Sequence, residues 1–260
     1  MNVFYRLPEG FPLEEAVQQF PQIFRPRQAD SHKGTFGTLA VLGGAAGMSG
    51  AVVLAASSAL MLGCGKAWAG FHQPALPMSL IAAYPEIMLD TASALLKRTD
   101  LSARVAGCGL GCAAEAAQLL RAVFQTASDT PLLLDADALN LLAHDGALAA
   151  EAALYPQLVL TPHPAEAARL LGTETSVVQS DRATAVRRLA ERFRAVVVLK
   201  GHRSLVCSSN GMLYENLSGN AGLATAGSGD VLSGIIGSLL AQGIEPFQAA
   251  CGGVWLHGAA

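Results

Sequence analysis

Asn220-Ala221-Gly222-Leu223-Ala224-Thr225-Ala226-Gly227-Ser228-Gly229-Asp230-Val231-Leu232-Ser233-Gly234 changes character near its middle. Up to Gly229 it is small or polar, and Gly222, Gly227 and Gly229 let the backbone turn or approach a ligand closely. From Val231 onward, Leu232, Ile235, Ile236, Leu239 and Leu240 recur at helical spacing, which predicts a helix starting near Asp230. A helix start offers unpaired N–H groups and a positive dipole end, so it attracts phosphate. Asp230 can simply complement that dipole, or it can take a proton from a hydroxyl held beside the phosphate.

Working outward, apolar runs precede loops of glycine, proline and charge. Leu39-Ala40-Val41-Leu42 leads into Gly43-Gly44-Ala45-Ala46-Gly47-Met48-Ser49-Gly50 and a helix over residues 51–62. Arg104-Val105-Ala106 leads into Gly107-Cys108-Gly109-Leu110-Gly111 and a helix over 113–124. Leu132-Leu133-Leu134 leads into Asp135-Ala136-Asp137, and Leu158-Val159-Leu160 into Thr161-Pro162-His163-Pro164. Val196-Val197-Val198-Leu199 precedes Lys200-Gly201-His202-Arg203-Ser204, and a hairpin turning at Asn210-Gly211 follows. Near-continuous apolar strands alternating with helices predict an α/β fold with a mainly parallel sheet covered on both faces. The unusual residues fall after the carboxyl ends of strands, where open α/β sheets bind ligands.

Each loop has an ordinary reading beside the functional one. The glycines of residues 43–50 and 107–111 form either a ligand cradle or tight packing turns, and neither matches a dinucleotide fingerprint. Asp137 reads as a helix N-cap, while Asp135 stays open between a cap and a water-mediated magnesium contact. Prolines on both sides fix the backbone at His163, which favours a positioned ligand contact over a plain turn. Lys200 and Arg203 are a solvated cluster or a phosphate contact. Arg182, Arg187, Arg188, Arg192 and Arg194 read as a solvated helix face. There is no Walker A sequence, and Ser49 lacks the spacing of a nucleophile elbow.

Composition excludes other classes. Half the chain is hydrophobic (52%), only 14% is charged, and the net charge is −3 with no basic block. Nucleic acid and anionic membrane are thereby poor partners. Five scattered cysteines with no CxxC pair argue against a zinc site or a disulfide framework and suit a reducing, cytoplasmic location. No metal site built from protein ligands is expected. The uncharged stretch from 34 to 65 is broken by glycines, and its helical part is too short for a membrane span. Residues 1–30 read as a lead-in arm with a short helix near 13–20, and 31–260 as one domain.

Taken together, His32-Lys33-Gly34-Thr35-Phe36-Gly37, the 43–50 loop, Asp135-Ala136-Asp137-Ala138-Leu139, Thr161-Pro162-His163-Pro164, Leu199-Lys200-Gly201 and the 226–234 stretch resemble the ADP-dependent NAD(P)H-hydrate dehydratases, in the ribokinase-like superfamily. The resemblance runs from about residue 31 to 260. It implies a lyase that repairs nicotinamide nucleotides, dehydrating the S epimer of hydrated NADH or NADPH while ADP becomes AMP and phosphate. It implies that Ala51, Gly109, His163 and Asp230 contact the hydrated nucleotide, with Asp230 as catalytic base. Lys200, Gly201, His202, Arg203, Ser204 and Gly229 would contact the adenine nucleotide. Ala226, Gly227, Ser228 and Gly229 would form the anion hole. Mg²⁺ would accompany ADP, a separate NAD(P)H-hydrate epimerase would act in the same pathway, and the assembly would be a homo-oligomer, a tetramer by resemblance.

The chain differs from the family pattern in carrying Ala165 where a glycine is usual. It also ends at Ala260, inside an expected helix, which reads as a truncated C-terminal end. The rival readings are a ribokinase-like kinase acting on a vitamin-precursor alcohol, and an inactive nucleotide-binding module.

Overall fold

Nine strands form one sheet in the computed structural model, which describes residues 13–126 and 129–260. The chain enters through α1 (Leu13–Gln19), β1 (Thr38–Gly43), α2 (Ser49–Met61), β2 (Lys66–Phe71), β3 (Met88–Thr91) and α3 (Ala92–Leu95). It continues through β4 (Ala103–Ala106), α4 (Ala114–Gln125), β5 (Leu132–Leu134), α5 (Asp137–His144), α6 (Gly146–Ala152) and β6 (Leu158–Leu160). Then come α7 (Pro164–Leu171), α8 (Thr175–Ser180), α9 (Arg182–Phe193), β7 (Val196–Leu199), β8 (Leu205–Cys207) and β9 (Leu213–Glu215). Finally α10 (Ser228–Ala241) and α11 (Pro246–Ala259) pack back onto the sheet.

The strand order is β3-β2-β1-β4-β5-β6-β7-β8-β9. Strands β1 to β7 are parallel, and the β8 and β9 hairpin closes one edge antiparallel. The chain order reverses beside β1: β2 and β3 go to one side, while β4 and its successors go to the other. Ligands of open α/β sheets bind at such a reversal, and here the loops after β1 and β4 flank it.

Strand alternation builds two apolar layers. Leu39, Val41, Val105, Leu133, Val159 and Val198 face α2, α10 and α11. Ala40, Leu42, Ala106, Leu134, Leu160 and Val197 face α4 to α9. Full burial of each larger side chain contributes about 1.5–3 kcal/mol, so these three- to six-residue strands are held by packing more than by length.

Helix α10 lies against α2 at a separation that only a glycine allows. A Cβ on Gly234 would sit 2.0 Å from the Ala55 carbonyl oxygen. Ser58 Oγ donates across the gap to the Val231 carbonyl oxygen (3.0 Å). On the other face, Arg104 is fully buried and its Nη1 donates to the Thr126 carbonyl oxygen at 2.7 Å and to Thr126 Oγ1 at 2.9 Å. It thereby supplies a positive charge and donors at the end of α4.

The expected helix near 13–20 is α1. Phe20, just past it, is buried, with its ring 6.1 Å from that of Trp255 and 6.2 Å from that of Tyr214. Residues 1–12 of the expected arm lie outside the described residues. Two strands escape the sequence pattern: β2, with its mixed Lys-Ala-Trp-Ala-Gly-Phe, and β3, which is half-buried throughout.

Candidate active site

The two glycine loops at the reversal are locked together by the main chain. Gly44 N donates to Cys108 O (2.9 Å) and Ala45 N to Gly109 O (2.7 Å). Gly109 has φ of 58°, and a Cβ there would come within 2.8 Å of Met48 and 3.1 Å of the Ala51 Cβ. Close approach therefore requires glycine at this point, and the structure brings Ala51 and Gly109 side by side.

Asp137 is not the helix cap that its position predicts. The N-cap of α5 is Ala136, whose φ of 49° is strained for a residue with a Cβ. That backbone turns the two carboxylates to different partners. Asp137 Oδ2 accepts from Gly111 N at 2.8 Å, pinning the second glycine loop. Asp135 is almost wholly buried: Oδ1 accepts from Lys200 Nζ (2.6 Å) and from Ala136 N (2.8 Å), and Oδ2 accepts from Ser233 Oγ (2.7 Å).

Lys200 is thus not a solvated cation. Its side chain is 19% exposed and lies between Asp135 and Glu166, whose Oε2 is 3.9 Å from Nζ. Burial pushes its pKa down, but the two carboxylates more than offset this and hold it above the usual lysine value. Gly229, in the first turn of α10, borders the pair: a Cβ there would be 3.5 Å from Lys200 Nζ and 3.8 Å from Asp135 Oδ2.

His163 is the N-cap of α7, in a reciprocal capping box. Its Nδ1 accepts from Ala165 N (3.1 Å) and Glu166 N (3.3 Å), while its own N–H donates to Glu166 Oε2 (2.7 Å). Nδ1 is therefore unprotonated and the ring proton is on Nε2, 3.3 Å from Glu166 Oε1. Burial, with the charges of Lys200 and Arg169, keeps the imidazole below its usual pKa. Ala165 fits the first turn of α7 without left-handed backbone. Burial raises Glu166 to about 7, and nearby Asp135 adds to this while Lys200 opposes it. The sequence marked Glu166 only as a residue of the first helical turn.

Helix α10 begins at Ser228, two residues before its expected start, with Gly227 (φ 85°) at the N-cap and no side-chain cap bond. Ser228, Gly229 and Asp230 all belong to its first turn, while Ala226 lies exposed just before it. Burial raises the Asp230 pKa; a hydrogen bond from the Cys108 thiol lowers it, and Asp135 raises it further.

The rest of the 200–204 stretch also has partners within the protein. Arg203 Nη1 is 3.6 Å from Glu215 Oε1 on β9, and Ser204 Oγ donates to Gly201 O at 3.2 Å. His202 is exposed, and its carbonyl is held by Arg182. Arg182 also corrects the solvated-face reading of α9: it donates to the carbonyls of His202 (2.6 Å), Arg203 (3.2 Å) and Leu199 (3.1 Å). It braces the loop that carries Lys200. Nothing in the arginine spacing distinguishes Arg182 from its exposed neighbours, so this role was invisible in the sequence.

Comparisons with known proteins match the fold and the family. The chain superposes on a ribokinase-like superfamily protein from Enterococcus faecalis with a TM-score of 0.79 at 28% identity, covering 93% of this chain and 84% of that one. The parallel sheet, the reversal beside β1 and the bare helix start next to an acid accordingly define a ribokinase-like α/β protein. Within that class the chain belongs to the NAD(P)H-hydrate dehydratase family, whose sequence model matches residues 39–260. It is 61% identical over 246 residues to the ADP-dependent (S)-NAD(P)H-hydrate dehydratase of Neisseria meningitidis serogroup B, covering 95% of this chain and 83% of that protein. The crystal structure of the ADP/ATP-dependent NAD(P)H-hydrate dehydratase from Bacillus subtilis, co-crystallised with ATP/Mg²⁺, matches with a TM-score of 0.78 at 32% identity, covering 90% of this chain and 83% of that one. The bifunctional NAD(P)H-hydrate repair enzyme Nnr of Escherichia coli K12 is 38% identical over 254 residues, and there the chain spans only 46% of the longer protein.

Proposed function

We propose that this chain is an ADP-dependent lyase that dehydrates the S epimer of hydrated NADH and NADPH. The observation that carries the reading is the meeting of Asp230 and Gly229 on the bare start of α10 with the Lys200–Asp135 pair. A carboxylate whose burial makes it a stronger base thus stands beside N–H groups suited to a phosphoryl group.

In this reading Ala51, Gly109 and His163 border the hydrated nicotinamide nucleotide, and residues 200–204 with Gly229 border ADP. Asp230 takes the proton of the ring hydroxyl as its oxygen attacks the β-phosphorus of ADP, and AMP leaves. Ala226, Gly227, Ser228 and Gly229 stabilise the charge on the phosphoryl oxygens through their N–H groups. The phosphorylated oxygen then departs as phosphate, an adjacent ring carbon gives up a proton, and the double bond returns.

Mg²⁺ belongs to the nucleotide here. It favours oxygen ligands and keeps several waters, and the Asp135 and Glu166 oxygens are already engaged by Lys200, Ser233, His163 and the main chain. Phosphate oxygens and water would therefore be its direct ligands, and it would supply neutralisation of phosphate charge.

A separate epimerase supplying the S epimer, a cytoplasmic location and a homotetramer complete the proposal. No helix among the described residues is long and apolar enough to cross a membrane.

The test is incubation with hydrated NADH, ADP and Mg²⁺, following the reduced-nicotinamide absorbance and the AMP formed. Equimolar NADH and AMP support the reading. Phosphorylation of a vitamin-precursor alcohol with no NADH formed would replace it with the kinase alternative.

A further inference from the structure

His257 plays no part in the chemistry derived so far, yet its ring touches the start of α10. Its Nε2 is 3.1 Å from Ser228 Oγ, and the ring also hydrogen-bonds the Ser228 main chain. The helical turn that carries it is anchored. Asn216 Nδ2 donates to Val254 O (3.0 Å), and Ser218 Oγ donates to Trp255 O (2.8 Å). These two bonds tie the last turns of α11 to the 216–218 segment. Gly258 is so close to the same loop that a Cβ there would sit 2.1 Å from Ser218 Oγ. The imidazole is thus placed by α11 and the 216–218 segment together, and it grips the first residue of α10.

Burial lowers the His257 pKa, the Ser228 main-chain bond opposes this, and the Lys200 charge lowers it again. The ring is therefore neutral at pH 7. An imidazole N–H directed at Ser228 leaves the serine hydroxyl proton free to be donated elsewhere. Ser228 adjoins Gly229, which borders Lys200 and Asp135.

We infer that His257 is a positioning residue for phosphoryl transfer, holding Ser228 so that its hydroxyl and the first N–H groups of α10 meet the moving phosphoryl group. The identity of the donor rests on the ADP-dependent reading above.

The test compares His257→Leu, His257→Gln, Ser228→Ala and the His257→Leu/Ser228→Ala double variant, using hydrated NADH, ADP and Mg²⁺. Glutamine can place an amide near the Nε2 position. His257→Leu is expected to lower kcat about 10–100-fold, the scale for an impaired oxyanion donor, while KM for hydrated NADH stays within about twofold. His257→Gln should recover most of that loss. The double variant should fall no further than the worse single variant, because both changes remove one shared interaction.

Unchanged kcat in His257→Leu, even with a lowered Tm, overturns the inference. So do multiplicative losses in the double variant, or equal kcat losses in the Leu and Gln variants. If His257→Leu does not fold, the cycle is run with His257→Asn under the same criteria. A wild type that forms no NADH defeats the substrate reading alone. Calorimetric binding of ADP with Mg²⁺ then decides: binding about tenfold weaker in His257→Leu and restored in His257→Gln supports the positioning role, and equal binding overturns it.

Discussion

Asp230 owes its basicity to a carboxylate that is half withdrawn from water and faces Asp135 nearby. Asp230→Asn keeps the shape and removes the proposed base. We expect kcat to fall by about 10²–10⁴ while the Kd for ADP, read by calorimetry, changes little. Because the Asp230 pKa is raised, the acidic limb of kcat/KM in the wild type should lie above the ordinary aspartate range. Glu166 gives a stability prediction with a defined sign. Its carboxyl ionises near 4.5 when unfolded and at about 7 when folded, so the native state binds the extra proton between these values. The associated stability is full below pH 4.5 and is lost as pH rises through 7. Glu166→Gln should therefore stabilise the ligand-free protein by roughly 1–3 kcal/mol at pH 8, with the gain shrinking toward pH 5 in denaturant titrations. At this scale the sequence revealed residues whose neighbours are unusual: His163 between prolines, and Asp230 after glycines. It did not reveal Arg182 or His257, whose partners lie 20 and 29 positions away and leave no local pattern.

Elements were legible where burial is complete and the run is apolar. β5, β6 and β7 coincide with Leu132-Leu133-Leu134, Leu158-Val159-Leu160 and Val196-Val197-Val198-Leu199, which have covered faces on both sides. β2 was missed because Lys66 and Gly70 break the apolar run, and β3 because it lies at the edge and contains Asp90. Helix α10 was found, but its first two residues were assigned to the loop because serine and glycine carry no apolar period. The α2–α10 contact offers a test at this scale. Gly234→Ala puts a methyl group against the Ala55 carbonyl and Ser58 Oγ, each about 2 Å away. The helices must separate, at a cost of about 1–3 kcal/mol. Since Asp230 lies one turn earlier on α10, kcat should fall as well as Tm. An unchanged kcat would mean that the start of α10 is placed independently of this contact.

Across the whole molecule, the segment around α1 supports α11 from behind. Phe20 fills the space beside Trp255 and Tyr214, and Gly252 of α11 is close enough to Ile23 that a Cβ would come within 2.0 Å of it. Phe20→Ala should cost about 3–5 kcal/mol in denaturant unfolding. A loss below about 1 kcal/mol would show that this segment is dispensable to the packing of α11.

The bond from Ser58 to the Val231 carbonyl spans 173 positions of sequence. A ribosome making this chain completes β1, α2 and the two glycine loops long before α10 exists. The early strands can pair as they emerge, but the start of α10, to which the proposal assigns phosphate, is made only after β1 to β9. If the proposed site is right, newly made chains should gain ADP affinity in one step, after the sheet has formed.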